Sequence, residues 1–313
     1  MKNLLVALDG SSYADASLPV AVGLARRLRA ELHLVSVLDT EQGRPPVGGA
    51  PFPDRQLALE HEAEWRAAID RYLAAARDRV AALPDAPAVH TALLTGSVAD
   101  TLLAFARDVA ASQIIVTTHG RGGLSRAWLG SVTEALLRSA NVPIVAVRPS
   151  DTPWPPHTMP DWQLRRLLVP LDGAADSEQV LEHVQALAID GTECVLMRAV
   201  SPLHPMLRAI ATGAEFERDL AEQRTLVSWY LQRIEADLLA RGLSVTHCAH
   251  EAFEPPRAIA ECADSLDVDL IVLATRGRGV VGRVLLGSVA DKVLRSTNRP
   301  VMLCHVATEA TPP

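Results

Sequence analysis

The sequence LLVALDG at residues 4–10 recurs as LLVPLDG at residues 167–173. A second block, LGSV at residues 129–132, recurs at residues 286–289, and the tripeptide LRS follows each copy at the same distance. The two blocks keep their order, and nearly equal lengths of chain separate the copies. A repeat of this kind indicates a duplicated domain with short deletions in its loops. The sequence therefore predicts two copies of one fold in tandem.

Strands and helices alternate in the predicted structure of each half. Residues 4–8 form an apolar run that ends in Asp-Gly, which is typical of a parallel strand buried on both faces. Residues 14–28 carry apolar side chains at helical spacing. The other elements predicted for the first half are strands at 32–38, 89–94, 113–117 and 143–147, and helices at 55–82, 98–111 and 131–139.

The second half repeats this order of elements. We predict strands at 167–171, 194–200, 244–249, 270–274 and 301–304, and a long helix at 214–239. Five strands that alternate with helices favour a parallel sheet with helices on both faces. The predicted fold class is α/β, with two tandem doubly wound parallel five-stranded sheets flanked by helices.

Length and local composition suggest where the domains begin and end. A chain of 313 residues fits two domains of ordinary size better than one. Prolines cluster between the two copies and favour extended backbone there. We predict a first domain at residues 1–149, a Pro-rich linker at 150–163, a second domain at 164–306 and a tail at 307–313.

Composition excludes several classes of protein. Hydrophobic residues make up 49% and charged residues 21% of the chain, so each half can bury a core. The formal net charge of −7 argues against nucleic acid as the default partner. The chain has neither a signal-peptide pattern nor an apolar stretch long enough to span a membrane. The four cysteines form no CxxC pair, which favours reduced thiols, and we expect a cytoplasmic protein.

Two segments at predicted strand ends carry the chemistry of the candidate site. Asp9 follows the first strand, and the glycine-rich loop THGRGG at residues 118–123 follows the fourth. Glycines let backbone N–H groups approach phosphate oxygens, and the helix that begins near Ser131 adds unpaired N–H groups at its positive end. Parallel sheets of this kind bind ligands at the carboxyl ends of their strands. The pattern predicts an anion-binding site there.

A structural interpretation of the same residues stays open at this point. Ser131 and Glu134 have the spacing of a capping box, and Ser288 and Asp291 form a weaker version of it. A cap would explain the serine but not the glycine-rich loop before it. The nearby arginines are as well suited to a solvated surface as to phosphate.

These residues together resemble the universal stress protein family, once in each half. The family's ATP-binding pattern is Gly-x2-Gly-x9-Gly-Ser/Thr. The first copy here matches it over residues 117–131 and the second over residues 274–288, with Thr117 and Ala274 in place of the first glycine. The resemblance implies the universal stress protein fold, of the adenine-nucleotide α-hydrolase-like type, and ATP as the ligand.

The resemblance also assigns roles to particular residues. Asp9 and Val37 in the first half, and Asp172 and Ala199 in the second, correspond to the positions that contact adenine. Glycines and hydroxyls of the loop and the helix start correspond to phosphate and ribose contacts. The full set predicted to bind the nucleotide is Asp9, Val37, Thr117, His119, Gly120, Arg121, Gly123, Gly130, Ser131, Val132, Thr133, Asp172, Ala199, Ala274, Gly277, Arg278, Gly287, Ser288 and Val289.

We therefore expect an ATP-binding stress-response protein with at most slow hydrolysis, and we name no catalytic residue. ADP or AMP are alternative ligands, and Mg²⁺ is an expected companion of ATP. The second half has lost hydroxyls, with Ala290 where the first half has Thr133. Two alternatives remain: an adaptor of the same fold that has lost nucleotide binding, and a genuine ATPase.

Expectations about partners and metals complete the analysis. Besides the nucleotide and an unidentified protein partner, the resemblance implies that the fifth strands of the two halves pack together as a pseudo-dimer, with a homodimer of the whole chain as a further possibility. The run His247-Cys248-Ala249-His250 contains metal-capable side chains. Neighbours on a strand point to opposite faces, so we assign no metal site there.

Overall fold

The structure is a computed structural model. The residues it describes are 2–39, 62–118, 129–149, 159–189, 191–200, 213–252, 254–276 and 287–306. The chain divides into two compact units, Met1–Gln163 and Leu164–Pro313.

The first unit contains a parallel five-stranded sheet in the order β3-β2-β1-β4-β5. Leu4, Leu5 and Val6 of the first strand are fully buried, as expected of a strand covered on both faces. The strand order reverses between β1 and β4, which creates a crevice at their carboxyl ends. The elements are β1 (Lys2–Ala7), α1 (Ser17–Leu28), β2 (Ala30–Leu38), α2 (Glu62–Ala81), β3 (Val89–Thr95), α3 (Val98–Asp108), β4 (Ala111–Thr117), α4 (Ser131–Ser139) and β5 (Ile144–Val147).

The second unit repeats the same sheet in the order β10-β9-β6-β7-β8, again with parallel neighbours. Its reversal point lies between β6 and β9. The elements are β6 (Arg166–Pro170), α5 (Ala175–Glu178), α6 (Leu181–Leu187), β7 (Glu193–Val200), α7 (Gly213–Ala240), β8 (Ser244–Glu251), α8 (Pro255–Ser265), β9 (Leu270–Arg276), α9 (Ser288–Ser296) and β10 (Val301–Val306).

The predicted fold class is confirmed, with two differences in the helices. The helix predicted from residue 14 is divided, because a 3₁₀ turn at Ala14–Ala16 precedes α1. The helix predicted to reach residue 111 ends at Asp108, since Ala110 adopts a left-handed φ of 47° and β4 begins at once. Residues 55–61, the start of another predicted helix, lie outside the described residues.

The end of the predicted linker packs against the first unit. A Cβ placed on Gly23 in α1 would lie 2.4 Å from Cε3 of Trp162, so the indole occupies the space that this glycine leaves. Arg26 of the same helix donates a hydrogen bond to Asp161 at 3.1 Å. Residues 150–158 of the linker and the predicted tail lie outside the described residues. Of the helices within the described ranges, none has the length and apolarity needed to cross a membrane.

Candidate functional site

Asp9 lies where the carboxyl ends of three neighbouring strands meet, because β1 pairs with both β2 and β4. Its Oδ1 accepts a hydrogen bond from the backbone N–H of Ser11 at 2.9 Å and another from the Ser11 hydroxyl at 2.6 Å. This local turn is the ordinary use of an aspartate that follows a strand. It fixes the orientation of a half-buried carboxylate at the edge of the crevice.

The second unit builds the same turn with fewer contacts. Oδ1 of Asp172 accepts one hydrogen bond, from the backbone N–H of Ala174 at 2.9 Å, and the alanine has no hydroxyl to add. Leu171 donates to the Met197 carbonyl in the way that Leu8 donates to Val35, both at 2.8 Å. This register makes Ala199 the structural counterpart of Val37, as predicted from their positions in the sequence.

Gly130 closes the predicted phosphate loop of the first unit. Its backbone N–H donates to the Thr118 carbonyl at 2.8 Å, which ties together the two ends of a loop whose residues 119–128 lie outside the described residues. A Cβ at this position would lie 3.4 Å from that same carbonyl oxygen. This distance is an ordinary contact, so the start of α4 lies directly against the end of β4.

Thr133 differs from its predicted role in one respect. Its hydroxyl donates to the Thr117 carbonyl at 2.9 Å, and the residue is only 2% exposed. The side chain therefore fastens α4 to the end of β4, where the resemblance implied a contact with phosphate or ribose. Ala290 occupies this position in the second unit and supplies no such hydrogen bond.

The capping-box interpretation of Ser131 is wrong. Gly130 is the N-cap residue, with φ −60° and ψ 144°, and Ser131 is the first helical residue. Glu134 forms an ion pair with Arg138 at 3.2 Å, within its own helix. A serine one position inside the helix cannot accept from the first turn as an N-cap does.

The weaker capping box of the second unit fails in the same way. Gly287 is the N-cap there, and Asp291 pairs with Arg295 at 2.8 Å. The capping-box pattern specifies only the spacing of two residues. Which residue is the N-cap depends on where the backbone angles stop being helical, and the pattern does not determine this.

Each of these two helices presents, at the carboxyl edge of its sheet, backbone N–H groups that have no acceptor in the helix itself. The first intrahelical hydrogen bond of α4 runs from Glu134 to the Gly130 carbonyl, and that of α9 from Asp291 to the Gly287 carbonyl. The backbone N–H groups of the three residues in between have no acceptor within the helix. Such a helix end is a general anion-binding element, because its partial positive charge adds to the donors.

The second unit has a cavity of about 450 Å³ at the carboxyl ends of its strands. Every predicted site residue of this unit that the structure describes lines it: Asp172, Ala199, Ala274, Gly287, Ser288 and Val289. Its volume lies within the range of roughly 300–1,000 Å³ that is usual for small-molecule sites. The predicted residues Gly277 and Arg278 lie outside the described residues, as do His119, Gly120, Arg121 and Gly123 of the first unit.

Arg198 also lines this cavity, and the sequence analysis missed it. Its guanidinium lies over the ring of Tyr230, with Cζ 5.0 Å from the ring centroid, and a Cβ on Gly173 would come within 2.5 Å of one guanidinium nitrogen. A single arginine near the carboxyl end of an otherwise apolar strand was the signal in the sequence. The first unit has Ser36 at this register position, and its buried hydroxyl donates to the Leu8 carbonyl at 2.6 Å.

A partly buried polar network links three side chains of the first unit. Asp15 accepts hydrogen bonds from the Tyr72 hydroxyl at 2.6 Å and from Arg79 at 2.8 Å. Burial, the charge of Asp15 and this hydrogen bond raise the pKa of Tyr72 well above its ordinary value. The corresponding Tyr230 of the second unit has a pKa raised to about 12, again mainly by burial.

The metal-capable run of β8 is divided between the two faces of the sheet. His247 lies 2.6 Å from Glu235 on α7, whereas the Cys248 thiol contacts Cys262 on α8 and His250 lies 3.7 Å from Glu261 of the same helix. The alternation expected of a strand therefore separates these side chains.

Comparison with known proteins identifies the family to which this chain belongs. The profile of the universal stress protein family matches residues 1–148 and again residues 163–305. The chain belongs to the universal stress protein family, and it contains two copies of the family's domain.

Individual relatives agree with this assignment. The chain is 27% identical to universal stress protein Rv2005c of Mycobacterium tuberculosis over 312 residues, which cover 96% of each chain. A universal stress protein from Archaeoglobus fulgidus has a similar fold, with a TM-score of 0.61, 17% identity and 97% and 98% of the two chains covered. A functionally unknown protein, PA1789 from Pseudomonas aeruginosa, aligns with a TM-score of 0.58, 18% identity and 98% and 93% coverage.

Proposed function

We propose that each half of this universal stress protein binds one adenine nucleotide, with ATP as the expected ligand and ADP or AMP as alternatives. The observation that carries the proposal is the second-unit cavity, because residues predicted from a phosphate-binding motif and from two distant strands line the same space. A cavity lined by apolar side chains with a few polar groups is the usual form of a small-molecule site.

The chemistry of the lining suggests how the nucleotide lies. Leu171, Met197 and Ile259 provide an apolar surface for adenine, and the Asp172 carboxylate can accept a hydrogen bond from its amino group. The backbone N–H groups of Ser288 and Val289, which have no acceptor within α9, would receive the phosphates, since a helix N-terminus favours negative charge. Mg²⁺ would accompany ATP through its phosphate oxygens and water.

Arg198 would add a cation that the sequence motif does not include. Its stacking on Tyr230 holds the guanidinium at the cavity wall, where it can neutralise part of a phosphate's charge or contact the ribose. In the first unit, Thr133 and Ser11 contribute hydroxyl contacts that the second unit lacks. The two halves would thus both bind a nucleotide, but with different side chains around it.

We infer a binding and signalling role in the cytoplasm and not an enzymatic one. Among the described residues that line the cavity, no nucleophile is paired with a base, and a binder needs only affinity for its ligand. The ligand would stabilise the fold and change which protein partners dock, because any ligand of the native state shifts its population. The free state of all four cysteines suits a reducing compartment.

The test is to purify the full chain without added nucleotide, denature it and identify what it releases. We expect adenine nucleotide in the released fraction, and we expect ATP to raise the melting temperature of nucleotide-free protein. Release of none, together with an unchanged melting temperature in ATP, would support the adaptor alternative. Steady-state turnover above about one per minute that Gly130→Val abolishes would instead support an ATPase.

A further inference from the structure

Three side chains at the edge of the first unit's sheet form a cluster apart from the nucleotide site. Glu31 and His33 are two residues apart on β2, so they point to the same face of the sheet. His90 on β3 is the register partner of His33 and lies beside it. All three lie near the amino ends of their strands, whereas the nucleotide site lies at the carboxyl ends.

The distances within this cluster suit a bound cation. The three potential ligand atoms, one from each side chain, all lie within 4.8 Å of one another. Nε2 of His90 is 2.8 Å from a carboxylate oxygen of Glu31, and the two imidazole rings stack with their centroids 4.9 Å apart. Nε2 of His33 is buried and has no hydrogen-bond partner within the described residues. A buried polar nitrogen without a hydrogen-bond partner lowers the stability of the fold unless another group, such as a metal ion, interacts with it.

We propose that Glu31, His33 and His90 bind one divalent transition metal ion, with Zn²⁺ as the best candidate. Two imidazole nitrogens and one carboxylate oxygen form a ligand set that Zn²⁺ accepts, with bonds of about 2.0–2.2 Å, and water completes the shell. An ion between the three atoms requires each of them to move inward by less than about 1 Å. Side-chain rotation at the partly exposed edge of the sheet provides such a movement.

The second unit has the same three register positions, but neither histidine is present there. By register, Glu193 corresponds to Glu31, whereas Val195 and Thr246 take the positions of the two histidines. The Glu193 carboxylate is already paired with Arg166 at 2.7 Å. Metal binding is therefore predicted for the first unit alone.

Calorimetric titration of nucleotide-free full-length chain with Zn²⁺ tests this site. We expect one saturable site per chain, and we expect His90→Thr, which copies the second unit, to weaken binding more than about tenfold. His247→Thr removes an ion-paired histidine of the second unit and serves as the matched control, with unchanged affinity expected. Because the His90 side chain is 55% exposed, the variant should fold, and its metal-free melting temperature checks this. Absence of saturable binding, or equal affinity in His90→Thr, would overturn the proposal.

A separate observation concerns two thiols of the second unit. Sγ of Cys248 on β8 lies 3.6 Å from Sγ of Cys262 on α8. The hydrogen bond from Cys262 lowers the pKa of the Cys248 thiol, while that contact and burial raise the pKa of Cys262. Cys248 is thus the half-exposed, more readily ionised member of the pair, and Cys262 is the buried one.

We infer that this pair is a site of reversible oxidation by peroxides. The Cys248 thiolate attacks a peroxide oxygen and becomes a sulfenic acid, and the peroxide is reduced to water or an alcohol. The Cys262 sulfur then attacks the sulfenic sulfur, which forms the disulfide and releases water. Overall, two thiols and one hydrogen peroxide give one disulfide and two waters. The sulfur atoms need to approach by roughly 1.5 Å to reach a disulfide length of about 2.05 Å.

Peptide mass spectrometry after peroxide treatment and alkylation of the remaining thiols tests this reaction. We expect a Cys248–Cys262 disulfide that a dithiol reductant removes, and its loss in Cys262→Ser. In that variant we expect Cys248 to oxidise further. Cys304→Ser, which changes another buried thiol of the same unit, is the control and should leave the disulfide intact. Oxidation of Cys248 in the wild type without a disulfide, or the same oxidation in wild type and Cys262→Ser, would contradict the inference.

Discussion

The two halves share their sheet order but differ in the contacts that hold the site together. In the first unit, hydroxyls of Ser11 and Thr133 fasten Asp9 and α4 to neighbouring backbone, and Gly130 touches the Thr118 carbonyl. In the second unit alanines replace the residues that carry these hydroxyls, and a Cβ on Gly287 would meet no described residue within 4 Å.

This difference shows which features the duplicated fold requires. Both copies keep the aspartate after the first strand and the glycine at the helix start, so the crevice and its helix amides persist. The polar supports around them have diverged, and the second unit has Arg198 where the first has Ser36. The comparison can be tested by exchanging these supports between the halves.

The largest expected effect is on the stability of the first unit. Asp15→Ala removes the acceptor of Tyr72 and leaves Arg79 unpaired, and the Asp15 and Arg79 side chains are only 17% and 24% exposed. We expect a loss of about 2–3 kcal/mol in the free energy of unfolding, because a partly buried charge loses its partner. Glu178→Ala is the matched control in the second unit.

That control should cost less than about 1 kcal/mol, since its partner Arg233 is 65% exposed. Chemical denaturation of both variants, with hydrogen exchange to assign the loss to one unit, measures the difference. Equal losses would show that the two networks are equivalent and would contradict the comparison.

The next effect concerns the glycines at the helix starts. A Cβ at position 130 would already touch the Thr118 carbonyl oxygen at 3.4 Å, which leaves little room for the methyl groups of valine, whereas a Cβ at position 287 meets none of the described residues within 4 Å. We expect Gly130→Val to weaken ATP binding to its own half by about tenfold, or 1.4 kcal/mol, and Gly287→Val to reduce bound ATP less. Equilibrium dialysis measures the ATP that each variant binds. Equal losses of bound ATP in the two variants would refute the prediction that Gly130→Val has the larger effect.

A smaller effect follows from exchanging Thr133 and Ala290. Thr133→Ala removes one buried hydrogen bond to Thr117 and should lower the stability of the first unit by about 1 kcal/mol. Ala290→Thr adds a hydroxyl at a site that is 3% exposed, so it should not stabilise the second unit by the same amount. Thermal unfolding of the two variants measures this. A neutral Thr133→Ala would show that the hydrogen bond contributes nothing.

The smallest effect appears at alkaline pH. The folded-state pKa of Tyr72 is raised, so its protonated form contributes stability that is present below its unfolded pKa of about 10 and is lost as the pH rises above that value. Half a pH unit above 10, the loss should stay below about 1 kcal/mol. Tyr72→Phe should flatten this part of the pH profile. An unchanged slope in the variant would show that Tyr72 does not titrate on unfolding.

The fold was predictable from the sequence because its signals are local and repeated. The apolar run at residues 4–8 and its copy identify buried parallel strands, and alternation with helices restricts the topology. Helix ends were less predictable, since backbone angles at Ala110 and Gly130 decide them.

Motif spacing predicted the location of the candidate site but not all of its contacts. The Thr133 hydroxyl is buried in a hydrogen bond to the Thr117 carbonyl, and Arg198 lines the cavity although the resemblance assigned a role only to its neighbour Ala199. The clusters around His33 and Cys248 depend on pairing between separate elements, which the sequence does not reveal.

Native mass spectrometry of nucleotide-free chain during titration with ATP tests the account most directly, because it counts ligands per molecule. The account predicts stepwise appearance of chains with one and then two bound nucleotides, as expected if the carboxyl edge of each sheet holds one. A chain that remains without ligand at millimolar ATP, while its fold is intact, would contradict the central claim.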